Sequence, residues 1–384
     1  MQFRKSRSVR ALALTTAVAL GASACGTDDG ASVTRLGDDG GSSSEGSASA
    51  SASASASAPA AETGDATSGD GGFEYVSDVS AHRLVVSDIC MISDLLPTDA
   101  DIDFDAIETI YVDGVNSVNS DGSIRSIGGF ASRDDRNPTH QAFFGTDTPL
   151  DDFVRSAIQG TGAFQGEPDL VRRQGVAKGI QDQVMAAWVI HELNTALDKA
   201  AEGDIEPAGG APHNWDEGWA FYRGAEPGCS PFATANSRAG NFDTTGADGE
   251  TAQTNEAVLE AMIAGQEALL AGDTDAAQTA ADDVIRALVI TYSQATLRYA
   301  QLIENDLAED DFETARIHQA EGWAYSRVMA PFWADYGADT ASIDAFYNLE
   351  TAEPSDGGFD LVETALQPAW DALGITTDDI GALS

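Results

Sequence analysis

The chain has 384 residues, 42% of them hydrophobic, enough for one large domain or two intimate halves. Its 63 acidic residues stand against 20 basic ones, a formal net charge of −43, which argues against any nucleic-acid partner. Four of the bases lie in the first ten positions, and Lys178 and Lys199 are the only lysines beyond them. The acidity reads as surface solvation in a salty medium rather than calcium storage. The one EF-hand-like run, Asp99-Ala100-Asp101-Ile102-Asp103, lacks the glycine and the terminal glutamate of such a loop.

Arg4, Lys5, Arg7 and Arg10 precede a short apolar run, Ala11 to Ala22, too short to span a bilayer. Ala22-Ser23-Ala24-Cys25-Gly26 then places small residues before a cysteine. The segment 1–25 is expected to be a bacterial lipoprotein signal, cleaved so that Cys25 carries the lipid; ordinary secretion with cleavage near Ala24 is the alternative. Either way the mature protein lies outside the cytoplasm, at the cell surface or in a periplasm. A single chain anchors only marginally, so multiple acylation, palmitate included, is expected. Residues 26–72 are Gly, Ser, Ala and acid, too poor in large apolar side chains to fold. Such a linker spans about 35–40 Å root-mean-square. Residues 73–384 are the expected folded domain. With Cys25 lipidated, Cys90 and Cys229 are the remaining cysteines, and in an oxidising compartment they are expected to pair.

The pattern of this domain is all-α. Apolar residues at helical spacing predict helices over 104–116, 151–159 and 170–200. Further helices are expected over 255–270, 282–306, 312–332, 340–349 and 358–373. Residues 83–86 could be strand or helix. Residues 119–122 read as a turn, and 202–212 and 224–249, rich in Gly and Pro, as irregular chain.

Two stretches carry the strongest signal. His213-Asn214-Trp215-Asp216-Glu217-Gly218-Trp219-Ala220-Phe221-Tyr222-Arg223 and Ile317-His318-Gln319-Ala320-Glu321-Gly322-Trp323-Ala324-Tyr325-Ser326-Arg327 match as Glu-Gly-Trp-Ala-aromatic-x-Arg. A long apolar helix precedes each, so an internal duplication of a helix pair is expected, forming a four-helix core. Both stretches are nearly uncharged, and a carboxylate on a buried helix needs a cation, a metal or donors to meet it. Glu217 and Glu321 are therefore expected to face each other at a metal site. His318, Glu321 and Tyr325 share one helical face. Tyr222, and His191 on the preceding helix, are further candidate ligands, although a tyrosine or a lone histidine there can equally be packing. Arg223 and Arg327 follow a tryptophan by one turn and serve either as stacking partners or, with Arg238, as holders of an anion. His82 and His140 have no local companions and receive no role. No serine-hydrolase, zinc-protease, nucleotide-binding or dinucleotide motif is present.

The run Trp215 to Tyr222, followed by Ser230-Pro231-Phe232-Ala233-Thr234-Ala235-Asn236-Ser237-Arg238-Ala239-Gly240-Asn241-Phe242, resembles the low-iron-inducible periplasmic, or iron-assimilation, proteins first described in algae. Tyr111 to Ser117 and Gly122 to Ala131 also look like that family, and the resemblance covers roughly residues 75–375. It implies extracytoplasmic iron acquisition without catalysis; the phytotransferrin members imply ferric iron held with carbonate. An iron permease or reductase is the partner such a role implies, and the bacterial-type lipid signal departs from the algal pattern. Two other readings stand beside it. One is a di-metal carboxylate oxidase or hydrolase in a ferritin-like bundle, weakened because the order here is His-x-x-Glu, and only once. The other is a surface domain with buried ion pairs and no ligand.

Overall fold

The computed structural model describes residues 70–384. The signal segment, Cys25 and nearly all of the linker lie outside the described residues. Within them the chain is helical, and its only β-type pairing is isolated bridges. None of the described helices is long and apolar enough to cross a membrane.

The core is built on two antiparallel helix pairs. The first joins Met185–Ala201 to the first motif helix, Ala211–Tyr222. The second joins Thr274–Ala308 to the second motif helix, Phe312–Asp335. A further helix, Gln253–Ala271, packs against both Thr274–Ala308 and the first motif helix. Its approach is close because Gly265 lacks a side chain: a Cβ there would stand 2.0 Å from Trp215. The motif glycine Gly322 admits the Tyr347 ring in the same way, also at 2.0 Å. The equivalent Gly218 would meet Leu193 only at 3.4 Å, ordinary contact. The two pairs thus share an order but not their surroundings, and the expected duplication is not established by the fold.

Several boundaries differ from the sequence pattern for identifiable reasons. The predicted helix over 170–200 is Asp169–Lys178 and Met185–Ala201 joined by a wide π-turn, Gly179–Val184. Such insertions are common at functional sites, and this one carries the buried Asp182. The helix expected from 282 begins at Thr274, where the Asp273 side chain accepts from Ala276 N–H. Part of the stretch read as irregular, 224–249, is a helix, Pro231–Phe242, started by proline in its first turn and closed by Asp243 in the left-handed region at φ 54°. Arg83 ends a short helix, Ser80–Arg83, and Val85 and Val86 open the next, Val85–Asp94, with Leu84 as the turn between them.

The N-terminal segment is sewn onto the first motif helix through Asp216. Its carboxylate accepts from Val76 N–H at 3.0 Å, from Ser77 N–H at 2.8 Å and from Ser77 Oγ–H at 2.7 Å; Gln266 donates to its other oxygen at 2.7 Å. A disulfide joins Cys90 on Val85–Asp94 to Cys229, just after the first motif helix, across a sequence separation of 139. A loop that long restricts the unfolded chain strongly, so the bond should contribute ~4–5 kcal/mol. Urea unfolding with and without reductant measures it; coincident curves would show that the bond contributes nothing.

Candidate functional site

The structure separates the two motif glutamates. Their hydrogen-bond and ion-pair partners have no residue in common.

Glu217 sits at the meeting point of three segments far apart in sequence. His82, from the short helix Ser80–Arg83, places Nε2 3.2 Å from Glu217 Oε1. His213, one turn before Glu217, places its Nε2 3.0 Å from the same oxygen. Asn214 donates to Glu192 Oε2 at 2.6 Å and to Glu217 Oε2 at 3.3 Å, bringing in Met185–Ala201. His191 lies at the edge, its Nε2 4.0 Å from Glu192 Oε1 and its ring against Trp188. Arg125 is close enough to act on Glu217 through space, and its buried Nη1 has no hydrogen-bond partner.

Protonation follows from these contacts. Burial pushes the Glu217 carboxyl up, but the hydrogen bond and charge of His213 more than offset this and hold it below the usual range. Burial, then the neighbouring Glu217 charge, pushes Glu192 well above that range, which favours a proton on Glu192 over one on Glu217. Ser77 Oγ–H donates to Asp216, so it can only accept from His213 Nδ1–H, 2.9 Å away. With Nδ1 protonated and Nε2 on a carboxylate, His213 is an imidazolium, and its hydrogen bond to Glu217 raises its pKa. Burial lowers His82 to about 4, so that ring is neutral.

Among the described residues no three His, Cys, Asp or Glu side chains are arranged to hold a metal ion as they stand. In the Glu217 cluster the donors are closed on one another by hydrogen bonds. Their chemistry nevertheless suits a hard cation: two imidazole Nε2 atoms meet one oxygen of Glu217, Asn214 links its other oxygen to Glu192, and Ser77 orients His213 from behind. Two buried acceptors here, His82 Nδ1 and Asn214 Oδ1, have no hydrogen-bond partner among the described residues.

Glu321 has a different setting. Lys178 Nζ lies 3.4 Å from Glu321 Oε1, and Tyr299 donates its hydroxyl to the same oxygen at 3.2 Å. Gln174, with its amide nitrogen turned toward the carboxylate, donates at 3.0 Å. Tyr325 stacks on Tyr299 with centroids 5.5 Å apart, and the Arg238 guanidinium lies 5.6 Å from the Tyr299 ring. His318 packs its ring near Tyr299 but binds Asp306 through Nδ1 at 2.6 Å. Glu321, Tyr325, His318 and Arg238 are therefore neighbours, as the shared helical face suggests, through a residue the sequence reading missed, Tyr299. The Lys178 ammonium already occupies the place a metal would take beside Glu321.

The other expected site residues lie elsewhere. Tyr222 donates to Asn255 Oδ1 at 2.5 Å and packs on Trp219. Arg223 is ion-paired with Asp70, which also meets Arg83 at 3.2 Å, and its guanidinium lies over Phe232 rather than Trp219. Arg327 lies over Trp323, 5.4 Å from its ring, and is caged by Phe144 and Phe153 at 4.0 and 4.7 Å. His82, Glu192 and Arg125 were not legible as site residues, since each is distant from Glu217 in the chain or has no partner on its own helix.

Acid should loosen this fold. His82 and His140 are buried and neutral, each lowered to about 4 chiefly by burial. For a depressed histidine the unfolded chain binds the proton first, so stability is lost as pH falls from about 6.5 through about 4, by ~3 kcal/mol each. The raised groups His213 and Glu192 act oppositely and give part of this back. Urea midpoints at pH 7, 5.5 and 4.5 check the sum, and an unchanged midpoint would contradict neutral burial.

No curated protein and no solved structure compared with this chain matches it. The sequence profile of the family described as low iron-inducible periplasmic protein matches residues 44–384, which includes every residue of both clusters. By that match across nearly its whole length, the chain belongs to the low iron-inducible periplasmic protein family.

Proposed function

We propose that the protein captures iron outside the cytoplasm, as cargo, at the Glu217 cluster. The observation that carries this reading is the convergence of His82 Nε2 and His213 Nε2 on one oxygen of Glu217, with Glu192 joined to its other oxygen through Asn214. Carboxylates with imidazole favour ferric or ferrous iron over soft metals. Protons on Glu192 and His213 would leave as the ion enters, so uptake is proton-coupled and acid reverses it. Arg125, carrying a buried donor without a partner, is the group to hold a synergistic anion such as carbonate. Glu321, held by Lys178, Tyr299 and Gln174, is a structural polar network in this reading.

The deciding experiment is titration of the mature protein with Fe(III), with and without bicarbonate. Saturable binding near one equivalent, tightened by bicarbonate, is expected; no saturable binding at neutral pH would sink the proposal. Oxygen consumption with Fe(II) tests the di-metal oxidase alternative, and none above background is expected. We also propose a lipid anchor at Cys25, on the strength of the small residues that precede it. Cys25→Ser should release the protein from membranes, and unchanged retention would remove the anchor. A permease or reductase that takes the iron onward is a further expectation, testable by crosslinking in iron-starved cells, where recovery of no membrane partner would count against it.

A further inference from the structure

Beyond the iron reading, a second site lies on the far face of the second motif helix. A cavity of about 470 Å³ is lined there by Phe143, Phe144, Arg327, Trp333, Ile343 and Asp344, among others. Its volume is that of a small-molecule pocket. Two buried donors on its wall, Arg327 Nε and Trp333 Nε1, have no hydrogen-bond partner among the described residues. In a chain with 63 acids and 20 bases, a guanidinium without a carboxylate is unusual. Arg155, Arg223, Arg286 and Arg316, for example, each meet one directly. Arg327 makes no hydrogen bond or ion pair among the described residues. Asp344 and Asp152 act on it only through space, and burial brings its pKa down to about 10, leaving it a cation. The oxygens of Asp344 are engaged by Trp323 Nε1–H at 3.0 Å and by the Asn348 amide at 3.1 Å. The aromatic cage fixes the guanidinium plane while leaving its N–H fork uncommitted.

A pocket with two unused donors, one of them a fixed planar fork, and with aromatic walls calls for an acceptor on an apolar body. We propose that this cavity binds a small organic carboxylate with a planar, apolar body, its carboxylate on Arg327 and Trp333 and its body against Phe143 and Phe144. A carboxylate matches the fork in a bidentate manner, whereas a free phosphate would leave further oxygens unpaired against apolar walls. The net charge of the chain repels anions at a distance, so affinity rests on these local contacts.

The test uses the mature, iron-free protein and calorimetric titration with benzoate, its neutral isostere benzamide, and inorganic phosphate. Saturable benzoate binding is expected, with benzamide and phosphate at least about tenfold weaker. Arg327→Gln should weaken benzoate by about tenfold or more, and Phe143→Ala, on a partly exposed side chain, by about threefold. Should Arg327→Gln fail to fold, Asp344→Asn decides: removing the competing charge should tighten benzoate by about threefold or more. Equal binding of benzoate and benzamide, no benzoate binding below about 10 mM, or an affinity untouched in the folded variants would each overturn the proposal. None of these readouts depends on iron, so they stand or fall apart from the Glu217 reading.

Discussion

A Glu321→Gln variant should unfold more easily than the parent by ~3–5 kcal/mol and still take up iron with parental affinity. Glu321 is 1% exposed and Lys178 is 5% exposed, so neither charge can turn to water for compensation. Glutamine keeps the volume and can still meet Tyr299, but it leaves the Lys178 ammonium facing a neutral amide. Asp182 also interacts with Lys178 through space, and its carboxyl is raised to about 6 by burial. It offsets part of the loss at neutral pH and less as pH falls. The double variant Lys178→Met, Glu321→Gln removes both charges and should recover most of the stability, as buried pairs replaced by apolar groups commonly do. Chemical denaturation of these three proteins and of the single variant Lys178→Met gives the coupling directly. A single variant as stable as the parent, or one that loses iron, would show that Glu321 is not a structural pair.

That prediction reverses the expectation drawn from the duplicated motif, and the reason is physical. Periodicity reports which face of a helix is buried, and it did so here: both motif helices are buried, and the helices over 104–113 and 358–373 start where the pattern places them. It does not report what the buried face meets. Glu217 and Glu321 look equivalent along the chain, yet one meets His82 and the other Lys178, each delivered by a segment remote in sequence. The helix Pro231–Phe242 escaped notice because its small residues give no apolar stripe, and its start rests on Pro231. The π-turn at Gly179–Val184 left no periodic trace either, although Gly179 marks the place where Val154 comes within 2.7 Å of a missing Cβ. Tyr325, His318 and Glu321 were correctly placed on one face; what could not be read was that Tyr299, Lys178 and Arg238 complete their surroundings.

The opposite outcome is expected at the first motif. Glu217→Gln should leave the iron-free fold nearly as stable as the parent and reduce iron affinity by about 100-fold or more. Stability is spared because the charge can move. Once Glu217 is neutral, the repulsion that raises Glu192 is gone, and Glu192 can ionise and offset the His213 charge through space, still held by Asn214. The cluster, 8% exposed at Glu217 and 4% at Glu192, then still holds one negative and one positive charge. Iron has no such substitute, because the lost oxygen is the one on which both histidines converge. Asn214→Leu is the control: it removes the bridge between the carboxyls without touching a ligand atom, and should weaken iron by about tenfold. The thermal shift produced by iron should vanish in Glu217→Gln and persist in Glu321→Gln. If instead Glu217→Gln binds iron like the parent while Glu321→Gln does not, the cargo sits among Tyr299, Tyr325 and Glu321, and Lys178 and Arg238 are there to hold its anion.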